Sequence, residues 1–102
     1  MDLGLANVNE ILRELGERLR SQRLAQQLSQ QELARMAGVA LGTVKKLEHS
    51  GVSSLETVVR VVQALGLVDE LKPLFVLQSN SIARMAQATQ LKRQRAPRKK
   101  SP

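Results

Sequence analysis

The chain contains no cysteine, tryptophan or tyrosine, a single phenylalanine, Phe75, and a single histidine, His49. Without cysteine there are no disulfides and no thiolate metal sites, and one imidazole alone does not make a metal centre, so no metal is expected. With one aromatic residue the core must be aliphatic, and recognition of single strands or RNA loops by base stacking is disfavoured. No apolar run approaches the ~18–20 residues of a membrane span. The opening MDLGLANVNE has no basic segment followed by an apolar core, so it does not read as a secretory signal; the expected location is cytoplasmic. Catalytic constellations are missing as well. There is no G-x-x-x-x-G-K-[ST] loop, no nucleophile beside a base, and Glu17, Glu32, Glu48 and Glu56 each have a capping, pairing or edge-of-core explanation. Neither an enzyme nor a cofactor is expected.

Acid is the remaining scarcity, and it is local. Up to residue 70 the chain holds eight Lys/Arg and nine Asp/Glu; from residue 71 onward it holds eight Lys/Arg and no acid, which accounts for the net charge of +7. A near-neutral body with a basic end suggests a polyanion partner; the alternative is a solubilising, disordered tail. At 102 residues with 42% apolar content, one domain with a modest core is expected.

Met1 to Ala6 reads as a frayed start. Asn7 with Glu10 fits an N-cap and its reciprocal carboxylate, and Val8, Ile11, Leu12, Leu15 and Leu19 then recur at helical spacing, predicting a helix from about Val8 to Gln26. The interleaved arginines read as a solvated face, with Arg20 or Arg23 as candidate phosphate contacts. Ser29 with Glu32 is a capping box opening a short helix to about Ala37, with Leu33 and Ala34 inward. Gly38 supplies a tight turn, and the small Ala34 allows a close crossing. Val39 then buries beneath the turn. A third helix runs from about Leu41 to His49 with Val44 and Leu47 inward and Glu48 at the edge of that stripe. Ser53 with Glu56 suggests another capping box, and Leu55, Val58, Val59, Val62 and Leu65 form the apolar face of a fourth helix, stopped by Gly66.

A short fifth element is expected from Val68 to about Leu77: either two helical turns, which Pro73 makes awkward, or a turn followed by an extended Phe75-Val76-Leu77. Leu71, Leu74, Phe75 and Leu77 exceed what so small a core can cover, and a dimer or partner interface is expected there; completion of the monomer core is the alternative. Ser81 is a candidate cap for a further helical stretch with Ile82, Met85 and Ala86 on one side. The end, LKRQRAPRKKSP, is basic and interrupted by proline, and disorder is expected there in isolation.

The stretch QQELARMAGVALGTVKKLEH, residues 30–49, thus reads as helix, turn, helix. A helix fits the major groove of duplex DNA and can present side chains to base edges. The outward positions of the third helix are Leu41, Gly42, Thr43, Lys45 and Lys46. Lys46 can donate to guanine O6 and N7, Thr43 can serve a base or a phosphate, and Leu41 can rest on a thymine methyl. Gly42 has no reading group; either it permits close backbone approach or it is tolerated near a helix start. Gln30, at the first turn of the second helix, is either a phosphate contact or simply an exposed helix former.

Residues Leu15 to Leu67, through LGERLRSQR, LSQQELARMAGV, TVKKLE and SLETVVRVVQALGL, resemble the Xre/Cro/C1-type helix-turn-helix family of bacterial and phage repressors. The resemblance implies an all-α, five-helix, lambda-repressor-like domain whose third helix enters the major groove. It implies phosphate contacts at Gln30 and Thr43 and base contacts at Leu41, Gly42, Lys45 and Lys46. Ala40 stands where the family usually has a Ser or Thr cap, and Leu41 and Gly42 replace the polar readers often found there. LGTVKKLE, SSLETVVRVVQALGLVDELKPLF and the basic end further resemble HipB-type antitoxins, which partner a HipA-like kinase toxin and autoregulate its operon.

The expected organisation is a DNA-binding domain with a C-terminal dimerisation element over residues 1–78 and a basic tail over 79–102, in which Lys92, Arg93 and Arg95 add phosphate contacts. The expected function is a homodimeric repressor of an inverted-repeat operator in double-stranded DNA. Alternatives are a kinase-inhibiting partner for which DNA is secondary, a stand-alone Xre-type or phage-type regulator, and a nonspecific architectural or RNA-binding protein driven by the tail.

Overall fold

A computed structural model describes residues 2–77. The tail with Lys92, Arg93 and Arg95, and the stretch after Ser81, lie outside the described residues. The chain divides into two units, Met1–Leu71 and Lys72–Pro102. Among the described residues there are no strands. Four α-helices, α1 (Val8–Ala25), α2 (Gln30–Ala37), α3 (Leu41–Ser50) and α4 (Leu55–Ala64), lie between two short 3-10 turns, Leu3–Leu5 and Val68–Leu71.

Local chemistry sets most helix ends. At α1, Glu10 N donates to Asn7 Oδ1 (2.9 Å) and Asn7 N donates to Glu10 Oε1 (3.0 Å). At α2, Glu32 N donates to Ser29 Oγ (3.0 Å) and Ser29 N donates to Glu32 Oε1 (2.8 Å). Each box satisfies two backbone donors that a helix start leaves unpaired. The two Ser29 hydrogen bonds, backbone first, hold the Glu32 carboxyl below its ordinary value. Gly38 closes α2 in the left-handed region, with φ 70°. The fourth cap differs from expectation by one residue: Thr57 N donates to Ser54 Oγ (3.1 Å), while Glu56 pairs with Arg60 at 3.0 Å. Two adjacent serines make the capping pattern degenerate, and the phase of the buried residues decides between them.

Two expected elements take another form. The start is not frayed: Gly4 N donates to the Asp2 carboxylate at 3.0 Å, organising the Leu3–Leu5 turn. The fifth helix is, among the described residues, the four-residue 3-10 turn Val68–Leu71. Pro73 has no amide to give to a carbonyl three or four residues back, so it can extend neither this turn nor an α-helix. In the second unit, Lys72 to Phe75 form turns and Phe75 has φ 57°.

The core of the first unit is aliphatic. Leu33, Ala34 and Ala37 of α2, Val44 and Leu47 of α3, Val61 of α4 and Leu65 at its C-cap form one buried cluster, flanked by Leu19, Leu28, Val39, Val58, Ala64 and Leu67. Burying a side chain such as Leu33 or Val44 completely stabilises the fold by about 1.5–3 kcal/mol. Val62 and Leu65 are buried and Val58 packs against the core as the spacing predicts; Val61 is buried as well and Leu55 is exposed, so the inward face of α4 takes in Val61 and leaves out Leu55. Val8 and Leu15 of α1 are exposed as well. The inward side of α1 runs instead through Leu12, Gly16, Leu19 and Arg23, of which Gly16 and Arg23 are buried.

Glycine makes the packing of α1 on α3 possible. A Cβ at Gly16 would collide with the Leu47 carbonyl oxygen, and one at Gly51, whose φ is 74°, would collide with the Leu12 backbone. α1 therefore lies almost backbone to backbone on the end of α3, while α2 packs on both α3 and α4.

Candidate nucleic-acid interface

Three polar side chains join α1, α2 and α3 at the base of the outward α3 surface. Arg23 and Glu48 are both buried. Arg23 Nε donates to Glu48 Oε2 (2.7 Å), and Arg23 Nη2 donates to Glu48 Oε1 (3.0 Å), a bidentate pair. Arg23 Nη1 donates to the Leu28 carbonyl (2.7 Å) in the α1–α2 connection. Gln30 Nε2 donates to Glu48 Oε1 (3.0 Å). The hydrogen bond to Glu48 holds the Arg23 guanidinium above its ordinary value against the opposing pull of burial. Among the described residues no buried side-chain nitrogen or oxygen lacks a partner.

This network corrects one sequence reading and refines two. Arg23 is not a phosphate contact; its guanidinium is turned inward and consumed by Glu48 and Leu28. Glu48 is structural, and it is more than an edge residue: it ties α3 to α1 and α2. Gln30 spends an amide hydrogen on Glu48, which fixes the orientation of its side chain at the start of α2. A signal for the pair exists in the register. Arg23 continues the Leu12, Gly16, Leu19 face of α1, and Glu48 follows Val44 by one helical turn. Each is thus a charged residue on an inward stripe, and each supplies what the other needs.

The outward residues of α3 stand clear of this network. Leu41, Gly42, Lys45 and Lys46 are exposed and Thr43 is half-buried. Neither lysine takes part in any of the ion pairs among the described residues. Lys45 lines a shallow hollow with Gln30, Arg20, Glu17, Glu48 and His49, so α1, α2 and α3 meet there. Arg20 sits on its rim, paired with Glu17 at 3.4 Å, in solvent where such a pair holds weakly. The start of α3 is bare. Ala40 makes no side-chain cap, and no acid lies in the first turn. Leu71 is half-buried in the first unit; in the second, Leu74, Phe75 and Leu77 are exposed.

Two short helices, the second presented by the first across a glycine turn with its polar face open, define a helix-turn-helix. Residues 19–71 match the family described as Helix-turn-helix. The match spans about half of the chain, which belongs to that family, the Xre/Cro/C1 type of DNA-binding regulator. No curated protein matches the chain. No helix among the described residues is long and apolar enough to cross a membrane.

Proposed function

We propose that the chain is a sequence-specific transcriptional repressor that binds an inverted repeat in double-stranded DNA as a homodimer. We further propose that it is the antitoxin of an operon encoding a HipA-like kinase toxin, which it autoregulates. The observation that carries the DNA reading is the α3 surface: Lys45, Lys46 and Thr43 outward, with the helix beneath them held by Arg23, Glu48 and Gln30. Lys45 and Lys46 read base edges, Leu41 and Gly42 meet the groove, and Gln30 and Thr43 hold phosphate. Lys92, Arg93 and Arg95 in the 79–102 tail add phosphate contacts that raise affinity and salt dependence without specifying sequence.

Dimerisation through Leu71, Leu74, Phe75 and Leu77 would place two α3 helices in successive major grooves, about 34 Å apart. Its support is the concentration of apolar residues in that short segment. The kinase-toxin partner is supported by the likeness of LGTVKKLE and SSLETVVRVVQALGLVDELKPLF to HipB-type antitoxins. The same apolar segment supports a second reading, direct inhibition of the kinase with DNA binding secondary.

Selection from a random duplex pool, followed by binding at physiological salt, tests the main reading. Enrichment of an inverted repeat bound by two chains is expected. No enrichment over random duplex would remove sequence-specific repression. Copurification with the product of the adjacent gene tests the partner; a kinase equally active with and without this chain would remove direct inhibition and leave autoregulation standing.

A further inference from the structure

Every glycine from Gly16 to Gly66 has a structural reason except one. Gly16 abuts the Leu47 carbonyl; Gly38, Gly51 and Gly66 have φ of 70°, 74° and 73°. Gly42 shares none of these constraints. It is the second residue of α3, it is not among the glycines with positive φ, it is exposed, and a Cβ built on it meets nothing within 4 Å. Inside the protein an alanine there would fit and would favour the helix.

Its neighbours narrow the explanation. Ala40, Leu41 and Gly42 carry no polar side chain, whereas Lys45 and Lys46, one turn on, carry long ones. A long lysine reaches a polar atom across a gap. Gly42 has no side chain to extend, so position 42 can meet a ligand only by bringing its backbone to van der Waals distance.

We propose that Gly42 sets how deeply α3 enters the major groove: its missing side chain lets the first turn of α3 lie directly against the duplex, in space that any Cβ would occupy. The proposal rests on the DNA-binding reading above and makes the absence of a side chain, rather than a polar contact, a determinant of specificity. Intimate contact with the groove is a feature of specific complexes. Nonspecific binding is held by charge on the phosphates and tolerates a gap. A Cβ at position 42 therefore weakens specific binding more than nonspecific binding.

The test uses the full chain, the duplex that the unsubstituted protein enriches from a random pool, and a random duplex of equal length. Gly42→Ala should raise the Tm by a few degrees. It should weaken binding of the enriched duplex roughly tenfold, the scale of overfilling a packed contact, with less effect on the random duplex and no change in salt slope. Gly42→Gln should bind no better than Gly42→Ala. Unchanged or tighter binding of the enriched duplex by either variant overturns the role of Gly42 while leaving the DNA reading intact. If the unsubstituted chain enriches no duplex, the specific-binding reading falls, and the role of Gly42 falls with it.

Discussion

Replacing Glu48 by glutamine removes one charge and almost no volume, and it tests the joint between α1, α2 and α3 directly. In the native domain the Glu48 carboxylate accepts two hydrogen bonds from Arg23 and one from Gln30, all between buried or half-buried groups. The amide can accept through one atom only, and its own N–H groups face donors. Arg23 keeps its bond to the Leu28 carbonyl but loses its counter-charge. Breaking a buried pair from one side costs about 3–5 kcal/mol; retention of one acceptor places Glu48→Gln near the lower end. A domain of this size has a total stability of about 4–10 kcal/mol, so the loss is a large share of it. In Tm it corresponds to a fall of roughly 12–24 °C.

Thermal and urea unfolding followed by helical circular dichroism would read the change. Joint replacement, Arg23→Met with Glu48→Leu, removes both charges and should recover most of the loss, since buried pairs exchange for apolar contacts at little net cost. The exposed Arg18–Glu14 pair at 2.8 Å is the internal comparison: Glu14→Gln should change stability by less than about 1 kcal/mol. A loss below about 1 kcal/mol for Glu48→Gln would refute the reasoning, because it would mean that the guanidinium finds water or another partner when its carboxylate is removed.

Other outcomes follow from the same geometry. Gly16→Ala and Gly51→Ala should each destabilise the domain by about 2 kcal/mol or more in urea titrations, despite the better helix propensity of alanine at Gly16, because the added Cβ strikes backbone that cannot move alone. The Glu32 carboxyl is held low by Ser29, so its contribution is present above the ordinary carboxylate value of 4.5 and is lost as pH falls through the lower folded value. Tm measured against pH should show this acid limb, and Glu32→Gln should flatten it. Lys46→Ala should weaken binding of the preferred duplex by about 1–3 kcal/mol and relax its sequence preference; equal weakening on all duplexes would make Lys46 a phosphate contact. Deleting residues 91–102 should reduce the salt slope, by roughly 0.9 for each phosphate that the tail no longer neutralises, while specific binding persists; abolition of all binding would place the interaction in the tail instead.

Four helices, two reciprocal caps and the glycine turn were legible in the order of residues, because each is a local matter. Asn7 with Glu10, Ser29 with Glu32, and Gly38 act within a few positions of themselves, and the Val44–Leu47 stripe needs only helical spacing. Membership of the helix-turn-helix family was legible for the same reason. The outward residues of α3 followed by subtraction once the inward ones were known.

Tertiary structure decided what depends on two distant stretches meeting. Arg23 and Glu48 are 25 positions apart, and neither alone says whether it faces water or a partner. Gly16 and Gly51 look like ordinary helix residue and ordinary stop until Leu47 and Leu12 are brought against them. The same holds for the cap at Ser54 and for the burial of Val61 and exposure of Leu55 on α4, where neighbouring patterns compete and burial chooses. Sequence by itself determined the kind of unit and its local punctuation, since hydrogen bonds and turns within a few residues are encoded by those residues. The orientation of the unit, and the difference between a glycine required by packing and one, Gly42, left free of it, came only from the packed chain, because steric exclusion between remote backbones has no signature in either segment read alone.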